Sequence, residues 1–390
     1  MPDLEHPRLI ISNFLSFDEC KELEFIHKSC STVGYRPNVF STTLSHLIAT
    51  NSSHLIMPFI PIRERLKDKL EEFFGCEYEL FTEFTGLISW TKGSSIGWHS
   101  DDNRPYLKQR DYAAVCYLNS YGADFSGGLF HFQEGEPTSI MPMAGDVVMY
   151  TADHRNIHSV DEIIDGERLT LTLWFSRDGS HDEDAKLISL LSQNLLHDKM
   201  AVPSLPLPAS CNMYWFSGEQ GSSQQLGFNI CWARLQILGY DIYLSQDDDC
   251  DSDVSEFLIK PVQLVRGSEM LEQEFVNILH VLQVVHFYLW KASTLQTREA
   301  TIDKKITKLS ELQRQKINGL NSVVLSDPGL VARVFSRISE ESVSICFDWK
   351  GIVAAINAWE DYTSTLIKQI HLQLPYWKSH QSMYNVQVGE

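Results

Sequence analysis

The chain has 390 residues, of which 43% are hydrophobic, so it can bury one large core or two of moderate size. Its formal net charge is -19, and no run of lysine and arginine forms a basic patch, which argues against a general nucleic-acid binder. The eight cysteines are scattered without a Cys-x-x-Cys pair, which argues against a zinc ribbon and a thioredoxin-type redox site.

The amino terminus, MPDLEHPRLI, has neither the basic segment nor the apolar segment of a secretory signal. The longest apolar stretch, residues 275–290, is too short and too often interrupted by polar residues to cross a bilayer. We therefore expect no membrane partner and a reducing compartment, either the cytoplasm or the nucleus.

Two helices are predicted near the amino terminus, after a short strand at residues 8–11. The first begins at Ser16-Phe-Asp-Glu19, which has the spacing of a capping box. The second covers residues 60–74, where apolar residues recur at helical period, and Gly75 is its stop signal.

From about residue 77 to residue 178, short segments rich in β-forming residues alternate with turn signals. The predicted strands cover residues 78–90, 111–118, 128–132, 147–150 and 169–175. The turns between them are predicted at residues 92–93, 126–128, 145–146 and 165–166. Many short strands in succession are typical of a β-sandwich or barrel, with the two amino-terminal helices on one outer face.

The rest of the chain has a different character. Further helices are predicted at residues 185–196, 275–290, 302–317, 328–338 and 353–374. Residues 202–225 are rich in proline, serine and glycine and are predicted to be a linker or irregular loop. We therefore divide the chain into a first domain at residues 1–180, a helix and linker at 181–226, and a mostly helical region at 227–390. The last region carries no catalytic motif and could bind an unknown protein.

Two histidines and an aspartate in the β-rich region suit a metal ion. On an extended segment, side chains two residues apart face the same way, so His99 and Asp101 can bind one ion. His158 lies 57 residues after Asp101, beyond a predicted strand, and can supply a second imidazole. Two histidines and one carboxylate on one face of Fe(II) leave three positions for a co-substrate and oxygen.

A basic residue is predicted beside this site. Arg168 lies ten residues after His158, at the start of a strand on which Thr170, Thr172 and Trp174 share its face. A guanidinium with two hydroxyls near a metal suits the far end of a dicarboxylate.

Alternative assignments remain open for several positions. His154 could replace His158, although its distance of fourteen residues from Arg168 fits less well. Asp102 could replace Asp101, but on an extended chain it would face away from His99. His131 is expected to serve packing. The residues that share the face of Arg168 could instead fill the interior of the barrel, namely Thr170, Thr172 and Trp174.

Four segments together carry a resemblance to a known family: RDYAAVCYLN, FSGGLFHF, AGDVVMY and HSVDEIIDGERLTLTLWFSRD. They resemble the prolyl hydroxylase branch of the Fe(II)- and 2-oxoglutarate-dependent oxygenases, and most of all the catalytic domain of the leprecan-type prolyl 3-hydroxylases. The resemblance extends from about residue 79 to residue 178, which is less than half of the chain.

This resemblance implies an α+β fold, with a double-stranded β-helix (jelly-roll) core and flanking amino-terminal helices. It implies that His99, Asp101 and His158 hold Fe(II), and that 2-oxoglutarate, O₂ and ascorbate take part in the reaction. Arg168 matches the residue that binds the C5 carboxylate of 2-oxoglutarate, and Tyr117 matches a tyrosine that often hydrogen-bonds the same carboxylate. Trp90 stands where the family usually has a tyrosine.

The reaction that the resemblance implies is hydroxylation of prolyl residues in a protein or peptide substrate. The chain departs from the collagen-modifying animal enzymes, because it shows no signal peptide and ends in Gln-Val-Gly-Glu instead of a retention signal. Hydroxylation of lysyl or other side chains is an alternative, and demethylation of a nucleobase is disfavoured by the acidic charge. A non-catalytic scaffold with a vestigial oxygenase barrel is an alternative of another class.

Overall fold

The structure is a computed structural model that describes residues 5–30, 33–36, 38–49, 52–197 and 349–387. It also describes short pieces at 214–215, 228–229, 283, 286–287, 290–291, 305–307 and 345–347. Contacts divide the chain into two units. The first consists of residues 1–27, 32–204 and 366–390, and the second of residues 28–31 and 205–365.

The first unit combines helices with many short strands. The α-helices are α1 (Phe17–Ser29), α2 (Leu44–Ala49), α3 (Phe59–Phe74) and α4 (Glu183–His197). The strands before His99 and Asp101 are β1 (Arg8–Ile11), β2 (Val33–Arg36), β3 (Val39–Thr43) and β4 (Phe81–Thr91). The others are β5 (Ile96–His99), β6 (Tyr112–Tyr117), β7 (Phe125–Gly127), β8 (Phe130–Phe132), β9 (Ser139–Ile140), β10 (Val147–Thr151), β11 (His158–Val160) and β12 (Ile163–Ser176).

Two antiparallel sheets form the core of this unit. The major sheet has the strand order β1-β10-β6-β12-β4-β3-β2, and β7 also pairs with β12. The minor sheet has the order β5-β11-β8-β9. Apart from the pairs β2–β3 and β8–β9, strands that neighbour each other in a sheet are far apart in sequence, as in a jelly roll. The predicted α+β class with a jelly-roll core is confirmed for this part of the chain.

The predicted amino-terminal helices begin and end where the local sequence requires. The Ser16 hydroxyl accepts a hydrogen bond from the Glu19 amide at 3.2 Å, and the Glu19 carboxylate accepts one from the Ser16 amide at 2.8 Å. This reciprocal pair confirms the capping box. Gly75 ends α3 in the left-handed conformation, with φ at 61°, which glycine adopts without steric cost.

The outer face of the major sheet is apolar and is covered by helices. Leu169, Leu171, Leu173 and Phe175 of β12 are fully buried on this face. The α1 side chain His27 contacts the same face, because its ring nitrogens lie 3.1 Å from the Thr42 hydroxyl and 2.9 Å from the Ser89 hydroxyl. The opposite face of β12 is left for the candidate site.

The first unit also includes the end of the chain. A helix covers Trp349–His380, which extends the predicted segment 353–374 at both ends. The Met383 amide donates to the Asp184 carboxylate at 2.7 Å, and the Asn385 amide donates to Glu64 at 2.6 Å. Residues 366–390 therefore dock onto the helical layer formed by α3 and α4. The sequence analysis did not anticipate this contact, and its domain boundaries stay predictions.

Little of the second unit is described. The predicted helix at 275–290 is helical at Gln283, His286, Phe287 and Trp290. The predicted helix at 302–317 is wrong at Lys305–Thr307, a strand that pairs with Ile345–Phe347. The remaining helical predictions for 227–348 lie outside the described residues. Among the helices that the structure does describe, none combines the length and the apolar character needed to cross a bilayer.

Candidate metal centre

The pairing of two short strands brings the two predicted histidine ligands together. His99 ends β5 and His158 begins β11, and these residues are direct partners in the antiparallel register. Their ring centroids lie 4.3 Å apart. Oδ1 of Asp101 lies 3.9 Å from Nε2 of His99 and 3.8 Å from Nε2 of His158. The three ligand atoms thus surround one point at the end of the minor sheet.

Backbone carbonyls orient both imidazoles. Nδ1 of His99 lies 2.8 Å from the Gly97 carbonyl oxygen, and Nδ1 of His158 lies 2.9 Å from the Asn156 carbonyl oxygen. A carbonyl only accepts, so each Nδ1 carries a proton, and in the neutral ring Nε2 then keeps its lone pair. Both lone pairs face Asp101, which is the arrangement that a metal ion requires.

The surroundings of His158 keep its imidazole neutral. Burial lowers the pKa of His158, and Phe130 stacks on its ring with an interplanar angle of 11° and a centroid distance of 4.9 Å. On the other side, the Tyr150 hydroxyl donates to Oδ2 of Asp101 at 3.0 Å. Burial raises the pKa of Tyr150 well above its ordinary value, so its hydroxyl stays protonated and can donate.

Arg168 lies deeper in the same site, and only 2% of it is exposed. No carboxylate among the described residues forms an ion pair with its guanidinium, and Nε is buried without a hydrogen-bond partner. Its guanidinium carbon lies 5.2 Å from the ring centroid of Tyr117 and 6.0 Å from that of Trp90. The Tyr117 hydroxyl is likewise buried, beside this guanidinium. An unpaired buried cation is costly, so this end of the site is suited to an anion.

The other predicted pocket residues follow the alternation of β12. Thr170, Thr172 and Trp174 line the same cavity as Arg168 and His158, and Trp90 lines it from the neighbouring strand β4. The Thr170 hydroxyl donates to the Ile88 carbonyl at 3.3 Å. Tyr117 is fully buried behind Arg168 and is not among the residues that line the cavity.

The cavity has a volume of about 650 Å³ and extends to the loop that follows β5. Residues of this loop form one wall, among them Arg104, Tyr106 and Arg110. Arg110 is itself held by Glu83 at 3.1 Å and lies 3.9 Å above the Trp174 ring. A cavity of this size can accommodate a small dicarboxylate together with part of a second molecule.

The alternative metal ligands have other partners or point elsewhere. His154 is exposed, in a short 3₁₀ helix at His154–Asn156. Asp102 accepts hydrogen bonds from Ser100 at 2.8 Å and from Lys108 at 2.7 Å. His131 lies 2.8 Å from Asp161 on the partly exposed face of β8. The structure therefore brings together His99, Asp101 and His158, the set preferred in the sequence analysis.

Three residues of this site were not predicted from the sequence. Tyr150 contacts Asp101, as described above. The Asn119 side chain donates to the Glu167 carbonyl at 2.6 Å and accepts from the Leu169 amide at 2.9 Å, so it holds the backbone on both sides of Arg168. Gly128, with φ at 65°, leaves space chiefly for Ile163 and also for Arg168, since a Cβ atom there would collide with Cδ1 of Ile163 and lie 3.2 Å from Cδ of Arg168. A sequence signal existed only for Gly128, in the predicted turn at residues 126–128.

The residues present fit Fe(II) and 2-oxoglutarate. Two imidazoles and one carboxylate are the donor set of non-haem iron oxygenases, which leaves coordination positions open. The buried and unpaired Arg168 matches the charge of a carboxylate. A jelly roll with this donor set at the end of its minor sheet defines the class of Fe(II)-dependent oxygenases.

Comparison with known proteins agrees with this class. Residues 85–176 match the family model of the 2OG-Fe(II) oxygenase superfamily. Prolyl 3-hydroxylase 1 of Gallus gallus is 26% identical over 45% of this chain and 30% of its own length. The 2-oxoglutarate and iron-dependent oxygenase domain-containing protein 3 of Homo sapiens is 34% identical over 22% of this chain and 27% of its own length. The chain thus spans about a third of the length of these curated relatives.

Solved structures give a likeness at lower identity. A prolyl-4-hydroxylase of Pseudomonas putida is 17% identical, with a TM-score of 0.37, and the match covers 45% of this chain and 94% of that one. The β-rich part of this chain is therefore similar to 2OG-Fe(II) oxygenase domains, and its curated relatives include proteins named prolyl 3-hydroxylase.

Proposed function

We propose that the chain is an Fe(II)- and 2-oxoglutarate-dependent dioxygenase that hydroxylates prolyl residues of a protein or peptide substrate. The observation that carries the proposal is the convergence of His99, Asp101 and His158 at one end of a cavity that also contains the unpaired Arg168. The relatives named prolyl 3-hydroxylase support the choice of a prolyl target. The balanced reaction converts substrate, O₂ and 2-oxoglutarate into hydroxylated substrate, succinate and CO₂.

The side chains of the site have distinct tasks in this reaction. His99, Asp101 and His158 would hold the iron, which when bound with 2-oxoglutarate supplies the activation of O₂. Arg168 would bind the far carboxylate of 2-oxoglutarate, with the Tyr117 hydroxyl next to it. The apolar rings Phe130 and Trp90 exclude water from the two sides of the site. Such positioning and exclusion of water is the contribution that a protein makes to cofactor chemistry.

The proposal is tested by succinate formation from 2-oxoglutarate in the absence of any substrate, with and without Fe(II). We expect slow, iron-dependent succinate formation that is abolished in His158→Ala. His154→Ala is the matched control, because His154 is exposed and lies four residues away, and it should behave as the wild type. Loss of activity in His154→Ala with full activity in His158→Ala would contradict the ligand assignment.

The kind of side chain that is hydroxylated needs a second experiment. Peptides containing proline or lysine, incubated with the enzyme, would be analysed by tandem mass spectrometry for the gain of one oxygen atom. Oxygen on proline is the expected result, and oxygen on lysine would support the alternative hydroxylase. Ascorbate is expected to sustain turnover, by returning iron to the ferrous state.

A non-catalytic scaffold is the competing proposal from another class. It would bind neither metal nor 2-oxoglutarate productively, although the donor set is complete in the structure. Stabilisation against heat by Fe(II) together with an unreactive 2-oxoglutarate analogue would argue for the enzyme. Any binding partner of the region at 227–390 also stays a proposal.

A further inference from the structure

The hydroxyl group of Tyr150 is the only side-chain hydrogen-bond donor that the described residues direct at Oδ2 of Asp101. Tyr150 lies in the middle of β10, where its backbone pairs with Arg8 of β1 on one side and with Ala113 of β6 on the other. Its side chain is 2% exposed. The tyrosine thus projects from the major sheet toward a carboxylate that follows a strand of the minor sheet.

The two oxygens of Asp101 have different surroundings. Oδ1 faces Nε2 of both histidines, at 3.9 Å and 3.8 Å. Oδ2 accepts the hydrogen bond from Tyr150 at 3.0 Å. A carboxylate with both oxygens free can rotate and offer either one or both to a cation, whereas this hydrogen bond fixes its rotation.

The ring of Tyr150 is itself held in place. It meets Phe132 and His158 edge-on, with centroids at 5.5 Å and 4.9 Å, and Phe130 at 5.9 Å. A side chain packed by three rings keeps its hydroxyl in one position, which is the property expected of a group that orients a metal ligand.

We propose that Tyr150 is a positioning residue that keeps Asp101 a single-oxygen metal ligand, so that Oδ1 points at the ion and Oδ2 does not occupy a further coordination position. The proposal rests on the function proposed above, because it requires a metal between His99, Asp101 and His158. The Tyr150 hydroxyl also lies 3.4 Å from Nε2 of His158, so Tyr150 contacts two metal ligands and not the reacting atoms, and the shorter of the two contacts is the one with Asp101.

The test compares Tyr150→Phe with Tyr112→Phe. Both changes remove one hydroxyl from a buried tyrosine of the major sheet, but the Tyr112 hydroxyl lies 3.8 Å from the Cys76 thiol and away from the metal site. Titration calorimetry with Mn(II) measures metal affinity, and the visible absorption of bound Co(II) reports ligand geometry. The melting temperature of the metal-free proteins checks that both variants are folded.

We expect the Mn(II) dissociation constant of Tyr150→Phe to rise by about 10- to 100-fold, the usual effect of removing a group that orients a metal ligand. The Co(II) spectrum should change as well, while Tyr112→Phe keeps the wild-type affinity and spectrum. Wild-type affinity and spectrum in a folded Tyr150→Phe would overturn the positioning role and leave the oxygenase proposal intact. Failure of the wild-type protein to bind Mn(II) would instead overturn the metal site, and with it both proposals.

Discussion

At the scale of single residues, two backbone carbonyls determine which nitrogen each histidine offers to the ion. Because the Gly97 and Asn156 carbonyls accept from Nδ1 of the two rings, both rings present Nε2 to the site. Each carbonyl belongs to the residue two positions before its histidine. The local extended backbone therefore fixes the tautomer as well as the direction of the ring.

Arg168 allows a test of co-substrate binding that is separate from metal binding. Arg168→Gln removes the only described cation at the deep end of the cavity, so 2-oxoglutarate should bind less tightly by about 1.5–3 kcal/mol, roughly a 10- to 150-fold weaker affinity. Titration of the Mn(II)-loaded protein with 2-oxoglutarate measures this change, and Mn(II) affinity itself should be unaltered.

Arg177→Gln is the control for this variant. Arg177 follows the other end of β12, where it is largely exposed and pairs with Asp111 at 2.7 Å. Its loss should leave 2-oxoglutarate affinity unchanged. Equal weakening in both variants would show that general charge, and not the site of Arg168, attracts the co-substrate.

Much of the site could be predicted from single residues, because the residue spacings that indicate it lie within short stretches of the sequence. Side chains alternate between the two faces of a strand, so one face of β12 carries Arg168, Thr170, Thr172 and Trp174. For the same reason, the two-residue spacing of His99 and Asp101 places their side chains on the same side of an extended segment. Tyr150 and Asn119 could not be predicted, since their partners are distant in the chain, 49 residues away for Tyr150 and 48 and 50 for Asn119. Only the pairing of strands brings those atoms together.

At the scale of secondary-structure elements, the length of a strand determines whether it can be predicted from the sequence. The long strands β4 and β12 show enough alternation to be recognised, whereas β5 and β11 have four and three residues and show none. Such short strands are defined by their partners and not by local propensity. The histidines that they carry were found by their spacing, although the strands themselves were missed.

The short 3₁₀ helix Ser53–Ile56, which follows α2, contains a buried titratable group. His54 is 1% exposed, neither ring nitrogen has a hydrogen-bond partner among the described residues, and burial lowers its pKa from 6.5 to about 3. The folded protein thus resists protonation of His54, while the unfolded chain accepts a proton below about pH 6.5. Stability should therefore be full above that pH and decrease as the pH falls toward 3.

His54→Leu should remove this sensitivity to acid. Between pH 7 and pH 5 the wild type should lose about 2 kcal/mol of unfolding free energy relative to the variant. Urea unfolding at both pH values measures the difference. His154→Leu, which changes an exposed histidine, should follow the wild-type pH dependence. A constant difference between the wild type and His54→Leu at the two pH values would contradict the assignment of His54.

At the scale of the whole molecule, the end of the chain belongs to the same unit as the oxygenase fold. Leu366, Ile370, Leu374 and Trp377 form a buried stripe along the carboxy-terminal helix, at spacings of four, four and three residues. The stripe shows in the sequence that one face of the helix is buried. The sequence does not show which surface covers it, because that surface lies more than 150 residues away in the chain.

Substitution of Trp377 tests how much the docking of the carboxy-terminal helix contributes to the free energy of unfolding. It is fully buried, and its indole nitrogen donates to the Tyr384 carbonyl at 2.7 Å. Trp377→Ala should lower the unfolding free energy by about 3–5 kcal/mol, as for other buried aromatic residues. Tyr376→Ala changes the neighbouring, half-exposed ring and should cost much less. Equal thermal stability of the two variants would show that the helix end does not stabilise the oxygenase unit.

The side chain of Asn119 extends the major sheet beyond the point where its backbone pairing stops. Backbone hydrogen bonds between β12 and the segment of β6 end where the Leu118 amide donates to the Leu169 carbonyl at 2.9 Å, and the amide group of Asn119 is then donor and acceptor for the next stretch of β12. A primary amide imitates a peptide group, which aspartate and leucine of similar size cannot do. The backbone that carries Arg168 is thus held on one side by β4, where Arg168 lies opposite Trp90, and on the other side by a single neutral side chain.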